Sequence, residues 1–235
     1  MHQKTIRIGR IFGIPIEIDY SWFYVFFLVT WLLADEYFPA HYHNWTLAAY
    51  WFWGALTSVL FFVSVLLHEL GHSLVARLFG IPVDDIVLMI FGGISKIRRN
   101  PKTPTQEFWI VLAGPLVNIL LWAMLMLLAS SVRGWEQMYA LLTYLAYINL
   151  ILGIFNLIPG YPLDGGKALL AIIWAANHDL QKATVIAANV GRMFAYFLIF
   201  WGLFLVFAGN IWDGLWLAFI GWFLESAAAT QVHKE

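Results

Sequence analysis

The feature that most constrains this chain is a long apolar helix that carries ionisable side chains near one end. Residues 47–67 contain no charged side chain, and at about 1.5 Å per residue this run covers about 30 Å, the hydrocarbon thickness of a bilayer. His68, Glu69 and His72 follow in the same helical pattern, which continues to Phe79. Ionisable groups are costly at membrane depth, so their presence there predicts a functional site.

The spacing of these three residues predicts a metal site. His68 and His72 are four positions apart, and positions i and i+4 of a helix share one face, so both imidazoles can bind one ion. Glu69 lies beside that line and is free to act as a base on a metal-bound water. A catalytic zinc usually takes three protein ligands and a water, so the pair requires a third ligand from elsewhere in the chain.

The composition indicates an integral membrane protein. Of the 235 residues, 62% are hydrophobic and 11% are charged, with a mean hydropathy of +0.76. Soluble domains are roughly 45–50% apolar and about 25% charged. The net charge of −1 says nothing about partners, but the lack of a basic stripe predicts no nucleic-acid partner. Because the chain has no cysteine, any bound metal must be held by histidine and carboxylate side chains.

The order of apolar and polar segments predicts one polytopic membrane domain, residues 1–235. The predicted fold is an all-α bundle of six transmembrane helices, with two short β-hairpins packed at its cytoplasmic side. We expect the hairpins over residues 4–19 and 84–99, with Gly13 and Gly92-Gly93 at their turns, an aqueous loop over residues 34–45, and a shorter polar helix over residues 167–187. The expected spans are about 22–33, 47–79, 108–129, 138–158, 190–207 and 211–224.

The basic residues predict the orientation of this bundle. With six spans, twelve of the thirteen Lys and Arg residues fall in inner segments, and only Arg133 lies in an outer loop. Basic residues are enriched in cytoplasmic loops, so we expect both termini in the cytoplasm of a multi-pass protein of the cell (inner or plasma) membrane. The His68–His72 end of the second span then faces the cytoplasm.

Asp164 is the best candidate for the third ligand. It lies within Asn156–Gly166, where two prolines and a glycine predict an extended segment that can aim the carboxylate inward, and Gly165-Gly166 leave room around it. Other candidates are weaker because we expect them in solvated segments or on the outer side: Asp84, Asp85, Glu107, His178, Asp179, His41 and His43. Asn118 lies inside the third span, where its amide either bonds between helices or reaches the site.

Three motifs together resemble the site-2 protease family of intramembrane zinc metalloproteases. They are HELGH in the second apolar segment, GPLVN in the third, and NLIPGYPLDGG after the fourth. The resemblance covers nearly the whole chain, including the Phe91-Gly92-Gly93 hairpin. It implies one zinc ion held by His68, His72 and Asp164, with Glu69 as the catalytic base. It also implies that Gly114 and Asn118 lie near the active site, and Asn156 matches an asparagine of the family's third motif.

The function implied by this resemblance is regulated intramembrane proteolysis. The expected partners are the lipid bilayer and single-pass membrane proteins, such as anti-sigma factors or signal-peptide remnants. Asn118 and Asn156 are candidates for binding the substrate backbone or the developing oxyanion. The hairpin around residues 86–97, with Gly92 and Gly93, is a candidate for holding an unwound substrate segment by strand addition.

Two further expectations concern domain content and an alternative function. Many family members carry regulatory CBS or PDZ domains; we predict neither in this chain, whose tail ESAAATQVHKE resembles the start of a linker. The alternative is a non-enzymatic metal protein, either a divalent-cation transporter or a proteolytically inactive relative. A transporter requires ligands on both sides of the bilayer midplane, whereas the strong ligands here share one depth. An inactive relative usually lacks a histidine, Glu69 or Asp164, and all are present.

Overall fold

The structure, a computed structural model, describes residues 5–90, 92–161 and 163–232, with side chains described to residue 227. Some residues on which the predictions depend lie outside the described residues: the basic residues Lys4 and Lys234, Phe91 of the second predicted hairpin, and Pro162 of the predicted extended segment. The chain forms two compact units. The first comprises Met1–Asn100 and Leu116–Gly153, and the second comprises Pro101–Pro115 and Ile154–Glu235.

The described residues are mostly helical, with a small sheet near the N-terminus. In chain order the elements are β1 (Thr5–Ile11), β2 (Ile14–Asp19), α1 (Ser21–Trp31), a π-helical segment (Leu32–Tyr37), α2 (Phe38–His41), α3 (Leu47–Leu78), β3 (Val83–Met89), β4 (Gly92–Ile97), α4 (Pro104–Ser131), α5 (Glu136–Asn156), α6 (Asp164–Asn177), α7 (Leu180–Phe207) and α8 (Ile211–Val232).

Several of these helices are long and apolar enough to cross a membrane, which confirms a multi-pass membrane protein. Among the described residues there are five such segments: Ser21–His41, Leu47–Leu78, Pro104–Ser131, Glu136–Asn156 and Leu180–Phe207. The predicted sixth span is helical, as α8, but it is not one of these five. Its first turn contains the acidic residue Asp213, and the sequence after Leu224 is ESAAAT. Both features shorten the apolar part of the helix.

Helix α3 carries the proposed metal-binding histidines and is the longest helix described. It begins after Thr46, whose side chain accepts a hydrogen bond from the backbone N–H of Ala49 at 3.2 Å and so caps the first turn. It ends before Gly80, which has a φ of +72°, a conformation that glycine adopts at low cost. The 32 residues span about 48 Å, which is more than one hydrocarbon thickness. His68 and His72 lie past the midpoint of the helix.

The two predicted hairpins form one four-stranded sheet with the order β1-β2-β3-β4. Strands β2 and β3 pair in parallel, with Ile16 opposite Ile86 and Ile18 opposite Leu88. The first hairpin turns at Phe12-Gly13, where both residues have positive φ, as the favoured two-residue turns require. The buried face of the sheet is supplied by its central strands, where Ile16 and Ile86 are buried, whereas Ile6 and Ile8 of β1 are exposed.

The prediction of a turn at Gly92-Gly93 is wrong. Both glycines lie in β4, where Gly92 pairs with Met89 and Gly93 pairs with Leu88. Gly92 has a φ of +116°, which explains a glycine there without a turn.

The aqueous loop predicted over residues 34–45 is also wrong, since the backbone is helical to His41. Leu33, Ala34 and Phe38 are buried in a cluster that includes Trp45 and Tyr50. The acidic residues of this stretch suggested a loop, but its aromatic and aliphatic side chains pack against α3, and this burial keeps the backbone helical.

The helix predicted over residues 167–187 is instead two helices. Helix α6 begins at Asp164 and ends before His178, which adopts a left-handed conformation with a φ of +56°. Asp179 then caps α7 by accepting a hydrogen bond from the backbone N–H of Lys182 at 3.1 Å. This hydrogen bond lowers the pKa of Asp179.

Helices α7 and α8 form an antiparallel pair in the second unit. Nε of Arg192, near the middle of α7, lies 3.4 Å from Oε1 of Glu225 in the second half of α8. A Cβ added at Gly202 would lie 2.6 Å from the carbonyl oxygen of Gly214, so the two backbones approach closely where both residues are glycine. Helix α8 therefore runs back along the candidate span α7.

Candidate metal centre

The two histidines of α3 point at a common position. Both side chains are buried, and the distance between the Nε2 atoms of His68 and His72 is 3.1 Å. Two imidazole nitrogens that bind one tetrahedral zinc at roughly 2.0–2.1 Å lie about 3.3 Å apart. The observed separation is close to that value, so the pair fits a single ion.

Asn118 of α4 fixes the orientation of the His68 ring. The Oδ1 atom of Asn118 lies 2.8 Å from Nδ1 of His68, and both side chains are buried. When Nε2 of a histidine binds a metal, Nδ1 carries the ring proton and needs an acceptor. Asn118 Oδ1 is in position to accept it. The hydrogen bond between α3 and α4, one of the two interpretations of Asn118, is thus present in the structure.

The amide nitrogen of Asn118 remains available for a second partner. Its Nδ2 atom is buried, and within the described residues nothing accepts a hydrogen bond from it. A buried donor without an acceptor is costly unless a ligand or water completes it. Asn118 therefore contacts His68 through Oδ1 and keeps a second polar atom, Nδ2, as a donor for another partner.

Glu69 lies on α3 between the histidines and packs against strand β4. Its Oε2 atom accepts a hydrogen bond from Ser95 Oγ at 2.7 Å, and Ser95 Oγ in turn accepts one from Ser73 Oγ at 3.1 Å. A Cβ added at Gly93 would overlap Cγ of Glu69. Sequence reasoning missed Ser95 and Ser73, because a serine in a strand and a serine in a helix carry no pattern that indicates this contact.

Asp164 is the first residue of α6, which corrects the expected extended position. A Cβ added at Gly165 would overlap the carbonyl oxygen of Leu157, and one added at Gly166 would lie 2.5 Å from the carbonyl carbon of Gly160. These two glycines therefore let the first turn of α6 pack directly on the preceding backbone, rather than leaving open room around the carboxylate.

His68, His72 and Asp164 are the residues whose side chains could hold a metal ion. Both histidines are buried and Asp164 is half-buried. Two imidazoles and a carboxylate are a common donor set of catalytic zinc sites, which keep a further position for water. The residues present thus fit zinc.

Three of the weaker ligand candidates have other partners in the structure. Asp84 and Asp85 lie in β3 rather than in a turn, where they pair with Arg98 and Lys96 of β4. Nδ1 of His41 lies 2.8 Å from the carbonyl oxygen of Tyr37. The remaining site prediction, Asn156, is the last residue of α5 and is half-buried.

Comparison with known proteins gives a family-level match. The sequence profile of peptidase family M50 matches residues 56–134 and 130–199, which include α3 from its third turn onward, the sheet strands β3 and β4, and Asp164. The matched region thus contains every residue of the candidate metal group.

Individual relatives match over most of the chain. The chain is 38% identical to Rip3 of Mycobacterium tuberculosis over 232 residues, covering 97% of this chain and 59% of the relative. It is 37% identical to zinc metalloprotease MJ0392 of Methanocaldococcus jannaschii, covering 85% of this chain and 54% of the relative. The chain therefore spans little more than half the length of these relatives.

A solved structure is similar over nearly the whole fold. The structure of the site-2 protease from Methanocaldococcus jannaschii matches with a TM-score of 0.61 and 31% sequence identity. The match covers 97% of this chain and 95% of that chain.

Proposed function

The chain belongs to peptidase family M50, and on that premise we propose that it is an intramembrane zinc metalloprotease. It hydrolyses peptide bonds within or near the transmembrane segments of other membrane proteins. The observation that carries this proposal is the His68, His72 and Asp164 group, whose two histidines lie on a candidate membrane-spanning helix with Glu69 between them.

One zinc ion per chain is bound by His68, His72 and Asp164, and Asn118 orients His68 for that role. Zinc supplies a Lewis acid for the scissile carbonyl and lowers the pKa of a bound water towards about 7. The support for zinc over magnesium or calcium is the donor set, since those cations prefer oxygen ligands and rarely take imidazole.

Glu69 is the base that takes the proton of the attacking water and later transfers it to the leaving nitrogen. Its Oε2 atom is engaged by Ser95, which leaves Oε1 to receive the proton. Asn118 donates a hydrogen bond from Nδ2 to the substrate carbonyl, where negative charge develops. Asn156, at the end of α5, is a second candidate for this contact.

The substrate binds as an extended segment beside β4. A peptide within a helix has its carbonyls hydrogen-bonded, so it must unwind before attack. Strand β4 is at one edge of the four-stranded sheet and packs against α3 through Gly93 and Ser95, so a segment added to this edge lies near Glu69. The partners are therefore single-pass membrane proteins whose membrane segment unwinds locally.

The protein crosses the membrane six times, with both termini and the metal site towards the cytoplasm. Helix α8 supports the sixth crossing, because it runs antiparallel along α7, which is itself a candidate span. The clustering of basic residues in the predicted inner segments supports the orientation in the cell membrane.

The proposal is tested with purified protein in liposomes that contain a single-pass test substrate. We expect cleavage within the membrane segment, loss of cleavage after zinc is removed with a chelator, and recovery when zinc is returned. The same liposomes report metal flux through an enclosed dye. Flux without cleavage would contradict the proposal and identify a transporter, and neither cleavage nor flux from zinc-loaded protein would identify an inactive metal protein.

A further inference from the structure

Strand β4 makes a polar contact with α3 that the metal chemistry does not require. Ser95 Oγ lies 2.7 Å from Oε2 of Glu69 and 3.2 Å from the carbonyl oxygen of the same residue. Ser95 is half-buried, and it comes from a strand that is separated by 26 positions from the helix residue it contacts. Nothing in the sequence marked this serine as part of a site.

A second serine directs the hydroxyl proton of Ser95. Ser73 is fully buried on α3, one helical turn after Glu69, and its hydroxyl donates to Ser95 Oγ at 3.1 Å. Because Ser95 Oγ accepts from Ser73, its own proton points towards Glu69. Hydrogen bonds in such a chain strengthen one another in a buried environment.

A glycine on the same strand leaves room for the Glu69 side chain. Any Cβ at Gly93 would overlap Cγ of Glu69, so the glutamate side chain occupies the volume that a side chain at this position would fill. A glutamate side chain has three rotatable bonds and loses considerable freedom when it is fixed. Gly93 supplies the space and Ser95 supplies the donor that together select one side-chain orientation.

We propose that Ser95 is a positioning residue that holds the Glu69 carboxylate through Oε2 and leaves Oε1 facing the reacting water, with Ser73 orienting its hydroxyl. This inference rests on the proposed function of Glu69 as the base. It also links two steps of catalysis, since the strand whose edge takes the substrate segment is the strand that orients the base. Substrate pairing and base alignment thus depend on one element.

The activity test uses Ser95→Ala and Ser95→Thr in the full chain. Loss of a hydrogen bond to a charged group predicts a fall in kcat of roughly 10–100-fold for Ser95→Ala, with KM and bound zinc unchanged. Ser95→Thr keeps the hydroxyl and should recover most of kcat. Ser130→Ala is the matched control, because Ser130 lies in α4 and its hydroxyl donates to the Leu127 carbonyl oxygen at 2.6 Å instead of to Glu69. An unchanged kcat in Ser95→Ala would overturn the proposal.

A second measurement tests the contact without metal or substrate. Thermal unfolding of the zinc-free protein is compared for Ser95→Ala, Glu69→Ala and the double variant. We expect Ser95→Ala to lower Tm when Glu69 is present and to have little effect when residue 69 is alanine. An equal fall in Tm in both backgrounds would overturn the proposal, because Ser95 would then stabilise the strand independently of Glu69.

These two measurements separate failure of this inference from failure of the proposed function. If zinc-loaded wild-type protein does not cleave any membrane segment, the proposed function is contradicted, and the unfolding cycle still decides whether Ser95 and Glu69 are coupled. If wild-type protein cleaves and Ser95→Ala cleaves equally well, the proposed function stands and this inference is contradicted.

Discussion

Asn118 Oδ1 lies 2.8 Å from Nδ1 of His68, so a buried amide of one apolar helix holds a histidine of the next. The contact gives Asn118 a definite role at the candidate metal group, where the sequence left two interpretations open. Outer partners of this kind fix the tautomer and the ring orientation of metal-binding histidines. Helices α3 and α4 are thus joined by a hydrogen bond to His68, one of the candidate metal ligands.

Replacing Asn118 by alanine should weaken zinc binding by roughly 10–100-fold, the usual effect of removing such a partner. Competition with a chromophoric chelator measures the affinity. Asn118→Asp keeps an acceptor for the Nδ1 proton and should lose less affinity. Asn149→Ala is the control, since Asn149 is also fully buried but bonds to Ser64 and to the Leu145 carbonyl. Equal zinc affinity in Asn118→Ala and Asn149→Ala would contradict this role.

The glycine after Asp164 should be required for zinc binding, although it provides no ligand. In Gly165→Ala the new Cβ overlaps the Leu157 carbonyl oxygen, so the first turn of α6 must shift and Asp164 shifts with it. We expect less than half of the wild-type zinc content, measured by atomic absorption on purified protein. Gly134→Ala should keep full zinc, because no atom lies within 4 Å of its added Cβ. Full occupancy in Gly165→Ala would show that the turn has more room than the structure indicates.

Gly93→Ala should lose cleavage while it retains zinc. The added Cβ would displace the Glu69 side chain, because the three heavy atoms nearest to it all belong to Glu69. Rates on a membrane-segment substrate and metal content are measured on the same sample. Gly9→Ala, in another strand of the same sheet and with no atom within 4 Å, should behave as wild type. A Gly93→Ala protein with wild-type activity would rule out close packing of β4 on Glu69.

The orientation of the protein can be tested by thiol labelling, because the chain contains no cysteine. A membrane-impermeant reagent added to intact cells should label Arg133→Cys in the predicted outer loop. It should label Lys102→Cys only after the cells are opened. Both positions are exposed, so differences in labelling report the side of the membrane. The reverse pattern would place the metal site on the outer side.

The parts of the fold that were predictable depend on local patterns. Helix α3 and its His68 and His72 pair follow from an uninterrupted apolar run and an i, i+4 spacing, both of which are contained in one segment. The parallel pairing of β2 with β3 joins segments about 70 residues apart, and many alternating apolar strands could form such a pair equally well.

The contacts around the site were not predictable for a related reason. Ser95 is an ordinary strand residue until the sheet packs on α3, and the atom of Asn118 that faces His68 is decided by how two helices cross. Similarly, the helix through residues 34–41 exists because Phe38 and its neighbours are buried by tertiary packing, which overrides the polar character of Asp35 and Glu36. Interactions between elements, rather than patterns within them, complete the site.

The central claim is that Glu69 acts as the base at a zinc site of His68, His72 and Asp164. The most direct test is cleavage of a membrane-segment substrate by Glu69→Gln protein that has been shown to contain as much zinc as the wild type. The glutamine keeps the size of the side chain and an oxygen for Ser95 but cannot accept the proton of the attacking water. We predict full zinc content with a rate at least about 1,000-fold lower than wild type, since both proton transfers are lost. Cleavage by this variant at the wild-type rate would contradict the account.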